Sequence, residues 1–258
     1  MGKIGVPRIE QSAIQSAIKV MMRSCFTVDR SMHVLMGFRR PVKALALMAM
    51  LLAGGGEIAL AEPVRADDGD ATAGKAKAAV CAACHGQGGN SEVANWPKLA
   101  EQNPRYIFKQ LHDIKSGARS VPEMAPIVAN LSEQDMADLS IYFSERSVTL
   151  SAVNPDLKDL GEKVYRSGVV ARGVPACIAC HGPQGKGVPS AGFPALSGQH
   201  PQYTAKQLMA FRAAARQDDK TKNAYRENDG DKKIMQGVTE GLTDDEIAAV
   251  SNYVSGLH

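Results

Sequence analysis

The stretch C-A-A-C-H at residues 81–85 decides how this chain folds, and it recurs 96 residues later as C-I-A-C-H at residues 177–181. In a C-x-x-C-H pentad, the two cysteines bond through thioethers to the vinyl groups of a haem. The next residue is held under the ring, where its imidazole can ligate the iron. The pentads therefore predict two covalently bound haem c groups, with His85 and His181 as iron ligands. The cysteines predicted to attach them are Cys81, Cys84, Cys177 and Cys180.

A zinc site or a redox-active dithiol is the alternative interpretation of these pentads. Zinc takes tetrahedral sets of Cys and His, and two pentads could combine into one such set. A dithiol pair gives no reason for a histidine after both copies. The motif, its duplication and a predicted export signal together favour haem.

The two halves resemble each other well beyond the pentads. W-P-K-L at residues 96–99 corresponds to F-P-A-L at 193–196, and residues 131–142 align without a gap on 242–253. An internal repeat of only two copies predicts a tandem pair of domains rather than a solenoid.

Each half has the sequence pattern of a helical domain. Four residues are expected at helix starts, two as N-caps and two in the first turn: Ser132 and Thr243, Pro104 and Pro201. The Gly- and Pro-rich segments 86–97 and 182–198 are expected to be loops folded over a cofactor. We therefore predict an all-α protein with two tandem domains, residues 62–150 and 151–258.

The sixth iron ligand must come from the other side of each ring, where Met or His can serve. Met124 and Met235 each lie seven residues before the leucine that precedes the last N-cap of their half, and we predict that they ligate iron. Met136 and Met209 are competitors. Both lie within predicted helices at apolar positions, so we expect them to pack in the core.

His112 and His200 are the alternative distal ligands. Neither has a histidine at its repeat position, and a capping or solvated role is expected for both. The second half also carries a polar insertion at residues 218–231, which we expect to be a surface excursion.

The N-terminal region has the pattern of a secretory signal. Residues 44–53 form an uninterrupted apolar run after a basic flank, and small residues end at Ala61. Ten apolar residues are too few to cross a bilayer core, which needs about 20. We interpret residues 1–61 as a leader to the periplasm, cut after Ala61 or Ala66. If translation started at Met36 or Met32, the leader would have a more usual length. The alternative is an unusually long leader that begins at Met1.

Charge does not point to nucleic acid. Residues 1–61 hold eight Lys/Arg and three Asp/Glu, whereas residues 62–258 hold 22 and 24, a net charge of −2. A nucleic-acid-binding domain would need a basic patch or stripe. Residues 62–150 carry a net −3 (nine against 12) and residues 151–258 a net +1 (13 against 12), so the halves could steer different partners.

The chain resembles the cytochrome c4 family of dihaem, class I cytochromes exported to the bacterial periplasm. The resemblance runs from about Asp70 to the C-terminus and is carried by the paired pentads, the two methionines and the repeated final helix. It implies two cytochrome c folds related by a pseudo-twofold axis. It also implies that the Pro97 and Pro194 carbonyls accept hydrogen bonds from the pentad histidines. One departure is that Gln236 and Gly237 follow Met235, in place of Ala-Pro, so the second loop is expected to be less rigid.

The resemblance further implies electron transfer without catalysis. Family members pass electrons from the cytochrome bc1 complex or other donors toward terminal oxidases, and we expect a monomer, soluble or peripherally associated with a membrane. One alternative is a dihaem subunit of a periplasmic dehydrogenase, such as a flavocytochrome sulfide dehydrogenase. Another is a dihaem peroxidase, which would need one iron with an open position.

Overall fold

The architecture comes from a computed structural model, which describes residues 62–219 and 224–258. The predicted leader, including its cleavage site at Ala61 and the candidate starts Met36 and Met32, lies outside the described residues. The described residues belong to one compact unit. They contain α-helices, short 3₁₀ turns and two isolated bridges, at Val169–Val174 and Val188–Phe193, but no strand. The predicted all-α fold is confirmed.

The helices fall into two sets that follow the sequence repeat. The first half contains α1 (Ala71–Lys77), α2 (Ala79–His85), α3 (Pro104–Ser116), α4 (Ala125–Val128) and α5 (Glu133–Ser144). The second half contains α6 (Pro155–Ser167), α7 (Ile178–His181), α8 (Pro201–Arg216), α9 (Ile234–Glu240) and α10 (Asp244–Ser255). In the described ranges, no helix has the length and apolar character needed to span a membrane.

The helix starts agree with the sequence predictions. Pro104 and Pro201 each open a helix, α3 and α8. Ser132 caps α5, where its hydroxyl accepts a hydrogen bond from the amide of Asp135, and Thr243 caps α10 in the same way. In both caps the acidic residue at the third helical position reaches back to the amide of the capping residue, which completes a capping box.

The first and last helices of each half cross at a glycine. A Cβ atom at Gly74 of α1 would lie 2.1 Å from the backbone oxygen of Asp138 on α5. A Cβ atom at Gly161 of α6 would lie 2.3 Å from the backbone oxygen of Ala249 on α10. Because no side chain separates the two backbones, each crossing is closer than any other residue would permit.

The core lies around these crossings. Each half has one cluster of buried apolar residues that pack against one another: Ala78, Ile107, Leu139, Tyr142 and Phe143 in the first, and Val164, Tyr165, Val174, Leu242, Ile247, Val250, Tyr253, Val254 and Leu257 in the second. Met136 is only 1% exposed, so its predicted core role is confirmed. The same prediction for Met209 is wrong, because its side chain is 40% exposed. The buried face of α8 runs through Ala210, Ala213 and Ala214, and Met209 lies beside that stripe rather than on it.

A buried carboxylate ties α5 to the start of the first half. Asp138 accepts hydrogen bonds from the amide of Asp70 at 2.9 Å, from Gln134 at 2.9 Å and from the Lys77 ammonium at 2.6 Å. Burial opposes ionisation of Asp138, but these bonds outweigh it and hold the pKa of the carboxyl below its usual value. Its ion pair therefore stabilises the folded state only while Asp138 is ionised.

We expect Asp138→Asn to lower the free energy of unfolding at neutral pH. Because the folded-state pKa is depressed, the contribution of the carboxylate is fully present above the unfolded pKa of about 3.9 and is lost as the pH falls through the folded value. The stability gap between wild type and variant should therefore be constant above about pH 5 and shrink below it. Denaturant unfolding at several pH values measures this, with Asp159→Asn, an exposed carboxylate on α6, as the control. A gap that stays unchanged in acid would contradict the assignment.

Candidate haem-binding sites

Each pentad lies in a helix that ends at its histidine. Residues 81–85 form the C-terminal part of α2, so Cys81 and Cys84 are three positions apart on one helical face. In the second half, α7 follows Cys177 directly, and the amide of His181 donates to the Cys177 carbonyl at 2.9 Å. Glycines with φ of 73° and 76° follow the two histidines and turn the chain away. The fold thus brings both cysteines and the histidine of each pentad onto one turn.

Both histidines are oriented by a backbone carbonyl. Nδ1 of His85 lies 2.8 Å from the Pro97 oxygen, and Nδ1 of His181 lies 2.9 Å from the Pro194 oxygen. A carbonyl can only accept, so Nδ1 carries the proton and Nε2 keeps its lone pair for a metal. Each ring is only 6% exposed. Burial lowers the pKa of both imidazoles against the opposing effect of the hydrogen bond, which favours the neutral form that ligates iron.

Among the pentad cysteines, Cys84 is exposed, whereas Cys81, Cys177 and Cys180 are half-buried. Burial raises the pKa of Cys81 and raises that of Cys177 to about 11. Zinc needs the thiolate form, which burial disfavours at Cys81 and Cys177, whereas a neutral thioether fits at both positions. Across the described ranges, no three Cys, His, Asp or Glu side chains form a group that could hold a metal ion, so the two pentads do not combine into one site. The residues present therefore fit two separate haem groups.

Met124 lies at the junction of a turn and a short helix. It occupies the N-cap position of α4, and its amide donates to the Val121 oxygen at 2.9 Å. Val128, at the end of α4, is fully buried and fixes the helix against the domain. The Met124 side chain is half-buried. Its role as an iron ligand stays a prediction.

Met235 lies in the first turn of α9, which side-chain hydrogen bonds hold in place. Asp229 accepts the amide of Gln236 at 3.0 Å and its side-chain Nε2 at 2.6 Å, and Gln236 is 3% exposed. Thr239, fully buried, donates its hydroxyl to the Met235 carbonyl at 2.8 Å. The expectation of a looser second loop took no account of these bonds, which anchor the segment where the first loop has a proline.

The insertion at residues 218–231 is more than the predicted surface excursion, although residues 220–223 lie outside the described part. Arg226 is 7% exposed and donates to the Tyr106 hydroxyl of α3 at 2.7 Å. Asn228 donates to Gln110 of the same helix at 3.0 Å. Polar residues were expected at the surface, but here α3 supplies acceptors that compensate for their burial.

The two remaining histidines differ in their surroundings. His112 has a side chain that is 53% exposed and lies 3.8 Å from a carboxylate oxygen of Glu133, so its predicted solvated role is confirmed. His200 occupies the N-cap position of α8, yet its side chain makes no cap. Its Nε2 instead lies 2.9 Å from the Ser91 oxygen in the other half, so the predicted capping role of His200 is wrong.

We expect Asp229→Ala to weaken the predicted ligation of iron by Met235. Two buried donors on Gln236 would lose their acceptor, at a cost of about 2 kcal/mol in the stability of this segment. The sulfur-to-iron charge-transfer absorption of the oxidised protein should then fade at lower temperature for one of its two haems. Asp231→Ala, which removes an exposed carboxylate two residues away, is the matched control. Identical melting of the band in both variants would contradict the anchoring role.

Comparisons with known proteins agree with this geometry. A family model described as cytochrome c matches residues 159–258, and one described as cytochrome C oxidase, cbb3-type, subunit III matches residues 66–143. Cytochrome c4 of Pseudomonas aeruginosa is 50% identical over 190 residues, which cover 74% of this chain and 90% of the relative. The thiosulfate dehydrogenase electron acceptor of Stutzerimonas stutzeri is 37% identical over 221 residues, which cover 80% of this chain and 94% of the relative.

A solved structure shows the same fold. The crystal structure of reduced recombinant cytochrome c4 from Pseudomonas stutzeri matches with a TM-score of 0.68 and 46% identity, covering 74% of this chain and all of the other. The resemblance drawn from the pentads is thereby confirmed. The chain belongs to the cytochrome c4 family and is a c-type electron carrier with two covalently bound haem c groups.

Proposed function

We propose that the mature chain works in the periplasm as a one-electron carrier without catalytic activity, and that it takes electrons from a respiratory donor such as the bc1 complex. A terminal oxidase or another periplasmic acceptor receives them. The observation that carries this proposal is the pair of buried imidazoles, each with Nδ1 bonded to a carbonyl and Nε2 left for iron. We further propose that the protein is a monomer, soluble or peripherally associated with a membrane.

The proposed ligand sets fill both iron coordination spheres. Bound haem supplies an iron that alternates between the ferrous and ferric states. The pentad cysteines would attach each haem, with His85 and His181 each supplying one iron ligand and Met124 and Met235 each supplying the second. With no open position for a substrate, the protein residues favour electron transfer over catalysis at the iron.

The proposed domains are residues 62–150 and 151–258. The two matched spans, 66–143 and 159–258, fall inside these limits, and each contains one pentad and one of the proposed methionine ligands. Export is supported by the apolar run at residues 44–53 and the small residues that end at Ala61.

Redox titration with optical spectra tests the proposal. We expect two one-electron steps per chain and a sulfur-to-iron band in the oxidised protein, with no rapid reaction toward cyanide or peroxide. Rapid binding of cyanide by the resting protein would instead indicate an open iron position and overturn the carrier role.

A second candidate function is that of electron acceptor for a sulfur-compound dehydrogenase. The relative from Stutzerimonas stutzeri that is named as such an acceptor favours this candidate. The carrier role has stronger support, since the cytochrome c4 relatives are more similar. Stopped-flow reduction by a purified thiosulfate dehydrogenase, compared with reduction by a bc1 complex, would separate the two.

A further inference from the structure

Two buried glutamines connect the halves through matched contacts. Gln102 of the first half donates to the Ala195 carbonyl at 3.0 Å and accepts the Ala195 amide at 2.8 Å. Gln199 of the second half donates to the Lys98 carbonyl at 2.9 Å and accepts the Lys98 amide at 2.9 Å. Both side chains are 8% exposed. Each carboxamide thus pairs with one residue of the opposite half as a strand neighbour would.

Each glutamine side chain is also held by a hydrogen bond within its own half. Oε1 of Gln102 also accepts the amide of Asn103 at 2.9 Å, and Oε1 of Gln199 accepts the amide of His200 at 3.0 Å. These amides lie at the starts of α3 and α8. Each carboxamide is therefore fixed to the start of a helix in its own half while it binds the backbone of the opposite half.

The residues that are held follow directly on the carbonyls that orient the histidines. Lys98 follows Pro97, whose oxygen accepts from His85, and Ala195 follows Pro194, whose oxygen accepts from His181. A shift of the held residue would move the adjoining peptide. The length and angle of the histidine hydrogen bond therefore depend on a side chain about 100 residues away in sequence.

We infer that Gln102 and Gln199 are crossed positioning residues: Gln102 sets the histidine hydrogen bond of the second haem, and Gln199 sets that of the first. This inference rests on the proposed ligation of iron by His85 and His181. On this inference, the hydrogen bond of each haem-ligating histidine is controlled by a residue of the opposite half, through the interface between the halves.

The direction of the effect follows from the chemistry of the imidazole. A strong hydrogen bond from Nδ1 makes the ring a better electron donor, which stabilises ferric iron. Loss of a glutamine loosens that bond, so the reduction potential of the opposite haem rises. We expect a change of about tenfold in its reduction equilibrium, about 59 mV for one electron.

The two sites differ in how firmly the held residue is anchored. The Lys98 side chain is 5% exposed, and its ammonium donates to the Thr149 carbonyl. Ala195 has no side chain that could do the same. Loss of Gln102 should therefore have the larger effect.

The experiment compares Gln102→Leu and Gln199→Leu in the full haem-loaded protein, with Gln202→Ala, an exposed position on α8, as the control. The chemical shift of the Nδ1–H proton is measured by NMR for each pentad histidine, together with both midpoint potentials. Gln102→Leu should shift the His181 proton and leave that of His85 in place, and Gln199→Leu should do the reverse. Where leucine prevents folding, Gln→Glu keeps the acceptor and loses the donor, and it should give the same crossed pattern at smaller amplitude.

Two results would overturn the inference. If each variant shifts the histidine of its own half, or shifts neither, the crossed control is wrong while the carrier role stands. If in wild type the Nδ1–H protons show no paramagnetic shift on oxidation, the histidines do not ligate iron, and both the inference and the proposed ligand set fail.

Discussion

Replacing Met235 with alanine is expected to remove half of the sulfur-to-iron charge-transfer absorption of the oxidised protein and to lower the reduction potential of one haem. A thioether ligand stabilises ferrous iron and so raises the potential. Its loss should change the reduction equilibrium of that haem by about a hundredfold, about 120 mV for one electron. Met124→Ala should do the same to the other haem, and the double variant should lack the band altogether.

Two other methionines serve as controls for this result. Met209→Ala alters an exposed side chain and should leave the band and both potentials unchanged. Met136→Ala empties a buried site and should lower the free energy of unfolding by about 3 kcal/mol while the band persists. A band that survives in the Met124, Met235 double variant, or that disappears in Met209→Ala, would show that the ligands are wrongly assigned.

Local features of this fold could be predicted from the sequence because each depends on residues close together in the chain. The pentads place attachment and ligation within five residues, and the caps at Ser132 and Thr243 need only the next three positions. Because the two halves align, each residue assigned in one half indicated the equivalent residue in the other. Met209 shows the limit of this reasoning, because a small error in the phase of a helix moves a side chain from its buried stripe to its edge.

The contacts of buried polar side chains could not be predicted in the same way. Arg226 and Asp229 lie in a polar insertion, and a polar residue is normally assigned to the surface unless its partner is known. Their partners are Tyr106, which lies 120 positions away, and Gln236, whose burial depends on the fold of α9. The contacts of Gln102 and Gln199 could not be predicted either, although the two residues occupy equivalent positions in the repeat. A glutamine two residues before a helix-starting proline gives no sign that its carboxamide pairs with the opposite half.

The close helix crossings were also missed, since a single glycine in a helical pattern usually signals only a weaker helix. In the structure, these glycines allow close contact between helices. Gly74 and Gly161 let α1 and α6 approach the backbones of α5 and α10. The crossing joins the segment before the pentad to the final helix of each half, so the position of the haem-bearing helix depends on it.

Gly161→Ala is accordingly expected to destabilise the second half strongly. In a solvent-exposed helix, the same change would stabilise by up to about 1 kcal/mol. Here the new Cβ would lie 2.3 Å from the Ala249 oxygen and 2.7 Å from Cβ of Tyr253, so α6 must move away from α10. We expect the free energy of unfolding to fall by about 3 kcal/mol.

Gly237→Ala is the matched control for this prediction, because a Cβ atom at that helical glycine of α9 would meet nothing within 4 Å. It should leave stability unchanged or slightly raised, as measured by thermal unfolding of the haem-loaded protein. Gly74→Ala should repeat the loss in the first half, where the contact with the Asp138 oxygen is closer still, at 2.1 Å. If Gly161→Ala unfolded at the same temperature as Gly237→Ala, the backbone contact would have to relax without cost, and the crossing would not fix the pentad helix as the geometry requires.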